Sequence, residues 1–309
     1  MLRMSLIFAA ASLAALAGCR SAGNEDAPDV VATTTHVADL AENVAGGRAE
    51  VDAILFAGSD PHDYEPRPSD AAAIAGAKLV IASGGEVDEW ADELIESSGT
   101  DAEVLTLTDS LRLMDGGDSE PDPHWWHDPV RGGIAADAIR HALARFDPSG
   151  RDFYAENAEE YKSELEALDD AIIKCFDRVP ESARKLVTSH DALGYLADRY
   201  EIDVVGAAIP ALSTQAQPSA GETADLVELI RAEDVKAVFA EAGLPDELET
   251  AIAGDAGIAL GGELYADSLG QEGSAGETYL GAIRANATTL IEGFSDGHPP
   301  SCPELGLGL

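Results

Sequence analysis

Positive charge is what this chain has least of. Lysine and arginine together number 19 against 58 aspartates and glutamates, giving a formal net charge of −39. A surface so acidic repels phosphate backbones and anionic lipid headgroups, which argues against a polynucleotide partner. It gathers cations diffusely but selects none, so a heavily solvated surface accounts for it and no function follows from charge alone. Long apolar runs are also missing. The best candidate, Leu6 to Ala15, is too short, and too soon ended by Arg20, to span a bilayer as a mature helix. Repeats and disorder-prone tracts are absent as well. The 45% hydrophobic content and 30 glycines fit a globular chain of 309 residues, long enough for two domains with separate cores.

The apolar run reads instead as a targeting segment. Arg3 supplies a short basic start, Leu6 to Ala15 the apolar centre, and Leu16, Ala17 and Gly18 lead directly into Cys19. Small residues before a cysteine resemble the prokaryotic lipobox, which implies a signal peptide over 1–18 and a lipid on Cys19. An ordinary cleaved signal with an incidental cysteine is the alternative. Residues 19–29, mostly small or acidic, suit a flexible tether. The expected location is extracytoplasmic, anchored to the outer face of the cytoplasmic membrane. There, the two remaining cysteines, Cys175 and Cys302, are permitted a disulfide; two unpaired thiols are the alternative.

Past the tether, strand-like runs alternate with helical patterns: Val30 to Thr35, Val51 to Phe56, Leu79 to Ser83 and Val104 to Thr108 each lead into a helix or loop. The alternation predicts parallel sheets covered by helices. A long helical pattern follows from about Arg151 to Asp177, with Tyr154, Ala158, Tyr161, Leu165, Leu168, Ile172 and Phe176 at spacings of three and four. It is long enough to run beside two domains, and Pro180 ends it. The second half repeats the alternation, with Ser219 and Glu222 at capping-box spacing. The predicted fold is α/β: two parallel-sheet lobes, 30–147 and 180–296, joined by a linking helix over 148–179, with a tail at 297–309.

Chemistry-bearing residues gather where the strands end. His62 sits in Gly58-Ser-Asp-Pro-His-Asp-Tyr-Glu-Pro66, and His124 in Asp122-Pro-His-Trp-Trp-His-Asp-Pro129, each held between prolines that stiffen the loop. His190 and Asp267 follow strand patterns in the second half. If the lobes face each other, these four converge on the cleft, and three imidazoles with one carboxylate suit zinc. Asp267 also reads as a cap for the turn that follows. Asp60, Asp122 and Asp191 lie close to the histidines in sequence as acceptors for imidazole N–H groups, or as solvated loop carboxylates; Glu241 ends a strand of the second half and falls near the cleft. Trp125 and Trp126 are expected to wall the cleft. His36 reads as part of a helix start, His141 as helical, His298 as tail, and His127 as an occasional helper of His124.

Four segments, Gly58–Pro66, Asp122–Pro129, Thr188–Tyr195 and Leu264–Leu269, together resemble the metal-binding solute-binding proteins of ABC importers, zinc type. The resemblance covers almost the whole mature chain. It implies two lobes on a backbone helix, with Zn2+ held between them by His62, His124, His190 and Asp267. It also implies delivery to an importer permease and its ATPase. Manganese-type members tend to carry an acidic residue in place of the third histidine, so His190 favours zinc over Mn2+. The His-rich loop of many zinc members is missing, because Asp115 to Asp122 is short, acidic and without histidine. A monomeric receptor, not an enzyme, is expected. A manganese or iron receptor of the same family is one rival. A zinc hydrolase with Glu65 or Glu241 as base is another, and a structural surface lipoprotein a third.

Overall fold

The computed structural model describes residues 28–116 and 120–307. The targeting segment, Cys19 and nearly all of the tether lie outside the described residues. Strands β1 (Val30–Ala32), β2 (Val51–Ala53), β3 (Leu79–Ala82) and β4 (Glu103–Thr106) form one parallel sheet in the order β2-β1-β3-β4. The central pair, Val-Val-Ala and Leu-Val-Ile-Ala, is buried throughout, while the flanking strands are partly exposed. That is the pattern of a parallel sheet covered on both faces. Helices α1 (Thr35–Ala45), α2 (Pro68–Gly76), α3 (Trp90–Ser98) and α4 (Pro129–Phe146) follow or connect these strands. Thr34 caps α1 by accepting from the Val37 amide, and Gly46 ends it with φ 56°. A side chain at Gly46 would strike Asn157 and Phe153, so glycine also lets the next helix approach.

That helix is α5 (Arg151–Phe176), 26 residues or roughly 39 Å at the usual rise. Its buried stripe runs from Tyr154 through Leu165 to Phe176. It packs against α1 and α4 of the first lobe, and against α6 (Gly194–Tyr200) and α9 (Tyr279–Phe294) of the second. The largest hydrophobic cluster therefore runs through both lobes, from Val30 to Leu307, with smaller clusters around Ile230 and Val238 in the second lobe and around Val31 and Ile74 in the first. Such a shared core favours small movements of the lobes over a wide hinge.

The second lobe contains β5 (Lys185–His190), β6 (Asp203–Ile209), β7 (Ala237–Glu241) and β8 (Ala259–Leu264), with α7 (Ala220–Ala232) and α8 (Glu247–Ala256). Hydrogen bonding pairs β5 with β6 and β7 with β8, both parallel; β5 and β7 lie side by side, although no ladder is assigned between them. Ladder irregularities occur between Leu186 and Val187 and between Val238 and Ala240. Ser219 and Glu222 form the reciprocal cap of α7. Cys175, near the end of α5, is paired with Cys302 in the tail, with Cα atoms 5.6 Å apart. Arg178 secures the same tail through Glu304 and the Ser301 carbonyl. No described helix is long and apolar enough to cross a membrane.

Candidate metal centre

Every polar residue of the cleft sits at or beyond the carboxyl end of a strand, where open α/β sheets place their ligands. His62 lies on the loop after β2, His124 on the loop after β4, and Asp267 on the loop after β8. His190 and Glu241 are themselves the last residues of β5 and β7, so His190 is held by a ladder and does not lie on a loop, as its sequence suggested.

The His62 loop is tied at several points. Gly58, at φ 78°, donates its amide to Ser268 Oγ at 2.8 Å and to the Leu269 carbonyl at 3.1 Å, both across the cleft. Gly243 comes so close that a Cβ there would lie 3.2 Å from the Gly58 Cα. Trp90 Nε1 donates to the Pro61 carbonyl at 3.2 Å. The His124 loop ends where Asp128 caps α4, accepting from the Val130 amide ahead of Pro129 at the helix start. The Tyr195 hydroxyl of α6 donates to the Asp122 carbonyl at 2.7 Å and accepts from the Met114 amide at 2.8 Å, locking that loop to the second lobe.

These ties bring His62, His124, His190 and Asp267 together, with one nitrogen or oxygen of each inside 4.8 Å of all the others. Asp267 Oδ2 lies 3.3 Å from His62 Nε2 and 3.1 Å from His190 Nε2, and Oδ1 lies 3.6 Å from His124 Nε2. Their side chains are at most 3% exposed. All three Nε2 atoms and both Asp267 oxygens lack a hydrogen-bond partner among the described residues. Leaving buried polar atoms unpaired costs on the order of 1–3 kcal/mol each, so a cluster of five aimed at one point is an arrangement a cation would satisfy.

Two further carboxylates orient the rings. Asp122 Oδ1 lies 2.7 Å from His124 Nδ1 and also accepts the His124 amide. Glu241 Oε2 lies 2.9 Å from His190 Nδ1, and its other oxygen accepts the Asp267 amide at 3.2 Å. Each contact presents Nε2 to the cleft and raises the basicity of the ring. The other two candidate acceptors do something else. Asp60 accepts the His62 backbone amide at 2.9 Å in the same kind of local turn, but its other oxygen accepts the Thr214 hydroxyl at 2.7 Å. Asp191 is exposed one residue past β5, where its amide bonds the Ala211 carbonyl; among the described residues its carboxylate makes no hydrogen bond to an imidazole.

The electrostatics follow from these contacts. Burial alone would lower the pKa of His190, but Asp267 and Glu241 outweigh it and raise it well above the usual histidine value. Burial would raise Asp267, yet His190 holds it well below the ordinary carboxylate range. Burial and the charge of Asp267 push Glu241 up.

Of the two tryptophans expected to wall the cleft, Trp126 lies against His124 with ring centres 5.4 Å apart, whereas Trp125 is fully buried and donates Nε1 to Ser83 Oγ at 3.2 Å. Trp126 donates Nε1 to the Ala266 carbonyl at 2.8 Å and receives the Tyr279 hydroxyl on its own carbonyl. Sequence reasoning missed the company it keeps. His36 stacks on Trp126 with ring centres 5.1 Å apart, and His127 lies beside it at 5.7 Å. Both are buried, and neither belongs to the cluster of four. Burial holds His36 down to about 3 and keeps His127 well below the usual value. The apolar stripe Val37, Leu40, Ala41 and Val44 places the face of α1 that carries His36 against the core, and was the available signal.

This geometry can be set beside known proteins. The profile of the ZnuA family, described as the periplasmic component A of a zinc-uptake complex, matches residues 30–293. The chain belongs to this family. ZnuA-family proteins are the metal-binding, solute-binding components of ABC importers, a receptor family and not an enzyme family. The manganese-binding lipoprotein MntA of Halalkalibacterium halodurans is 31% identical over 294 residues, covering 94% of this chain and 97% of its own. The iron-binding protein YfeA of Yersinia pestis is 31% identical over 268 residues, covering 86% of each chain. The periplasmic zinc-binding protein TroA from Treponema pallidum superposes with a TM-score of 0.82 at 25% identity, over 87% of this chain and 99% of its own. The names of these ZnuA relatives thus divide among three metals.

Proposed function

We propose that this protein is an extracytoplasmic receptor that captures Zn2+ through His62, His124, His190 and Asp267 and delivers it to the permease and ATPase of an ABC importer. The observation that carries this reading is the group of buried, unpartnered atoms, three imidazole nitrogens and one carboxylate, facing one point. Zinc takes nitrogen and oxygen donors in a tetrahedron, and four protein ligands fill that sphere. A filled sphere leaves no position for an activated water, which supports binding over hydrolysis. The two nominated bases fit poorly: Glu65 is exposed, and Glu241 is engaged with His190. Cys19 would carry the lipid that keeps a monomeric receptor beside its permease, as the lipoprotein names of relatives suggest.

A manganese or iron receptor is the second reading, favoured by the names of MntA and YfeA. Manganese prefers oxygen donors, whereas imidazole suits zinc and iron, so the donor set speaks against Mn2+ more than against Fe2+. Competition among the three ions for the tag-free metal-free protein, repeated with His190→Asp, decides it. The zinc reading expects Zn2+ to win on the wild type and to lose most of its advantage in the variant. Preferential retention of Mn2+ by the wild type overturns it.

A further inference from the structure

One loop of the second lobe touches the surroundings of three of the four cleft residues, and none of its contacts is needed to build the core. It runs from Ala211 to Gln215, between β6 and α7. At its base the Ala211 carbonyl accepts the Asp191 amide at 3.0 Å, directly beside His190. Leu212 packs so tightly on Gly116, upstream of His124, that a Cβ there would lie 2.7 Å from Leu212 Cδ1. At its tip the Thr214 hydroxyl donates to Asp60 Oδ2 at 2.7 Å, and the Gln215 side-chain amide donates to the His62 carbonyl.

The His62 loop is consequently held from the second lobe at two places of different kinds. Gly58 donates its amide, at a half-buried contact, to the Leu269 carbonyl and to the Ser268 hydroxyl. Among the described residues, the hydrogen bonds that reach the His62 backbone from the second lobe come from side chains of a loop that is half-exposed at Thr214 and exposed at Gln215, directly from Gln215 and through Asp60 from Thr214. Water can replace such side-chain bonds at little cost, and segments with few buried contacts open at free energies far below global unfolding. Asp60 completes the connection: one carboxylate oxygen fixes the His62 amide and the other accepts Thr214.

We propose that Ala211–Gln215 is a strap across the cleft, in which Thr214 and Gln215 are positioning residues that hold His62 in place and set the rate at which a bound divalent ion leaves. This inference rests on the reading of the cleft as a metal site. The shared core along α5 restrains the lobes from parting, so exit begins where the two lobes are joined by exposed side chains. Opening the strap releases the His62 loop from Thr214 and Gln215 of the second lobe while His124, His190 and Asp267 stay in place.

The test is release kinetics from zinc-loaded protein. Wild type, the double variant Thr214→Val with Gln215→Ala, and the single variant Thr214→Ser are loaded with Zn2+ and mixed with excess chromophoric chelator in a stopped-flow instrument. The expected result is release about 10-fold faster from the double variant, the size of effect that two exposed hydrogen bonds supply. Association rates should not fall, because the variants remove no atom of the cluster of four. Thr214→Ser keeps the hydroxyl and releases zinc at close to the wild-type rate. Thermal midpoints of the metal-free proteins should differ by only a few degrees, the shift that two exposed hydrogen bonds allow. Wild-type release kinetics in the double variant overturn the strap alone. Failure of the wild type to take up Zn2+ or Mn2+ overturns the metal reading, and the strap with it.

Discussion

His190 and His36 are almost equally buried, at 1% and 2% exposed, and their protonation equilibria are displaced in opposite directions. Burial pulls both down. His190 has Asp267 at 3.1 Å and Glu241 at 2.9 Å to reverse the effect, whereas His36 has the indole of Trp126 and the edge of Tyr279. His127 sides with His36. The interior therefore contains two populations of imidazole. One is furnished with buried carboxylates, and the other is kept neutral against aromatic rings. In a chain with 58 acidic residues, the few that matter to the cleft are those taken out of water. A solvated charge is screened, and a buried one is not.

The comparison breaks most severely at Asp267. Asp267→Asn keeps the shape but removes the one carboxylate, among the described residues, that faces all three rings. Metal affinity should fall by more than about 100-fold, beyond the effect of losing a supporting acceptor. Calorimetric titration of the metal-free protein checks it, and an affinity within tenfold of wild type would dismiss Asp267 as a ligand. Glu241→Gln is the milder break. It leaves the cluster of four intact and removes the charge beside His190 Nδ1, with an expected cost of about 10–100-fold in affinity and stoichiometry unchanged. The His190 proton should then bind more weakly, moving toward the behaviour of His36; NMR titration of the ring protons reads this directly.

Much of this contrast was legible in the sequence, because strand-end histidines between prolines announce their position. Asp-Pro-His at 60–62 and 122–124 and the strand-end patterns at His190 and Asp267 nominated four residues, the family resemblance implied them as a set, and the structure brings them together. The fold was legible for the same reason, since short β-rich runs alternated with helical stripes and α5 carried an unbroken one. What stayed hidden depended on side-chain reach. Asp60 and Asp122 occupy the same place in matching tripeptides and each accepts the amide two residues on, yet Asp122 also contacts its ring while Asp60 accepts Thr214. Nothing in the tripeptide distinguishes them, because the difference comes from the opposite lobe. His36 was hidden because a histidine after three threonines looks like a helix start, which it is, and sequence does not show that this start is packed on Trp126. The division of the second lobe into two ladders likewise follows from tertiary packing.

Acidity sharpens the contrast without a mutation. In the metal-free protein the raised His190 holds a proton to higher pH than an ordinary histidine, and that proton must leave before Nε2 can bind an ion. Affinity should therefore rise with pH, by about tenfold per unit for one released proton, with the slope persisting above the usual histidine value of about 6.5. Titrations at about pH 5.5, 6.5 and 7.5 in buffers of different ionisation enthalpy measure both the slope and the proton count. A flat profile would show that no imidazole must deprotonate.

The smallest effect on binding belongs to the wall. His36→Leu removes no atom of the cluster of four, so metal affinity should stay within about threefold of wild type, the change that minor repacking allows. The effect on acid stability has a definite sign. With a folded-state pKa of about 3, His36 stays neutral in the fold while the unfolded chain takes up a proton near the ordinary histidine value. Between those values the unfolded state binds more protons, so this residue's share of stability is present above about pH 6.5 and lost as pH falls toward 3. Leucine carries no such linkage. Urea midpoints of the two metal-free proteins should lie close together at about pH 7.5 and separate at about pH 4.5, with the variant the more stable by on the order of a few kcal/mol. Equal losses in both would mean that His36 is protonated within the fold. The wall of the cleft would then be charged, and its contrast with the carboxylate-lined group in front of it would disappear.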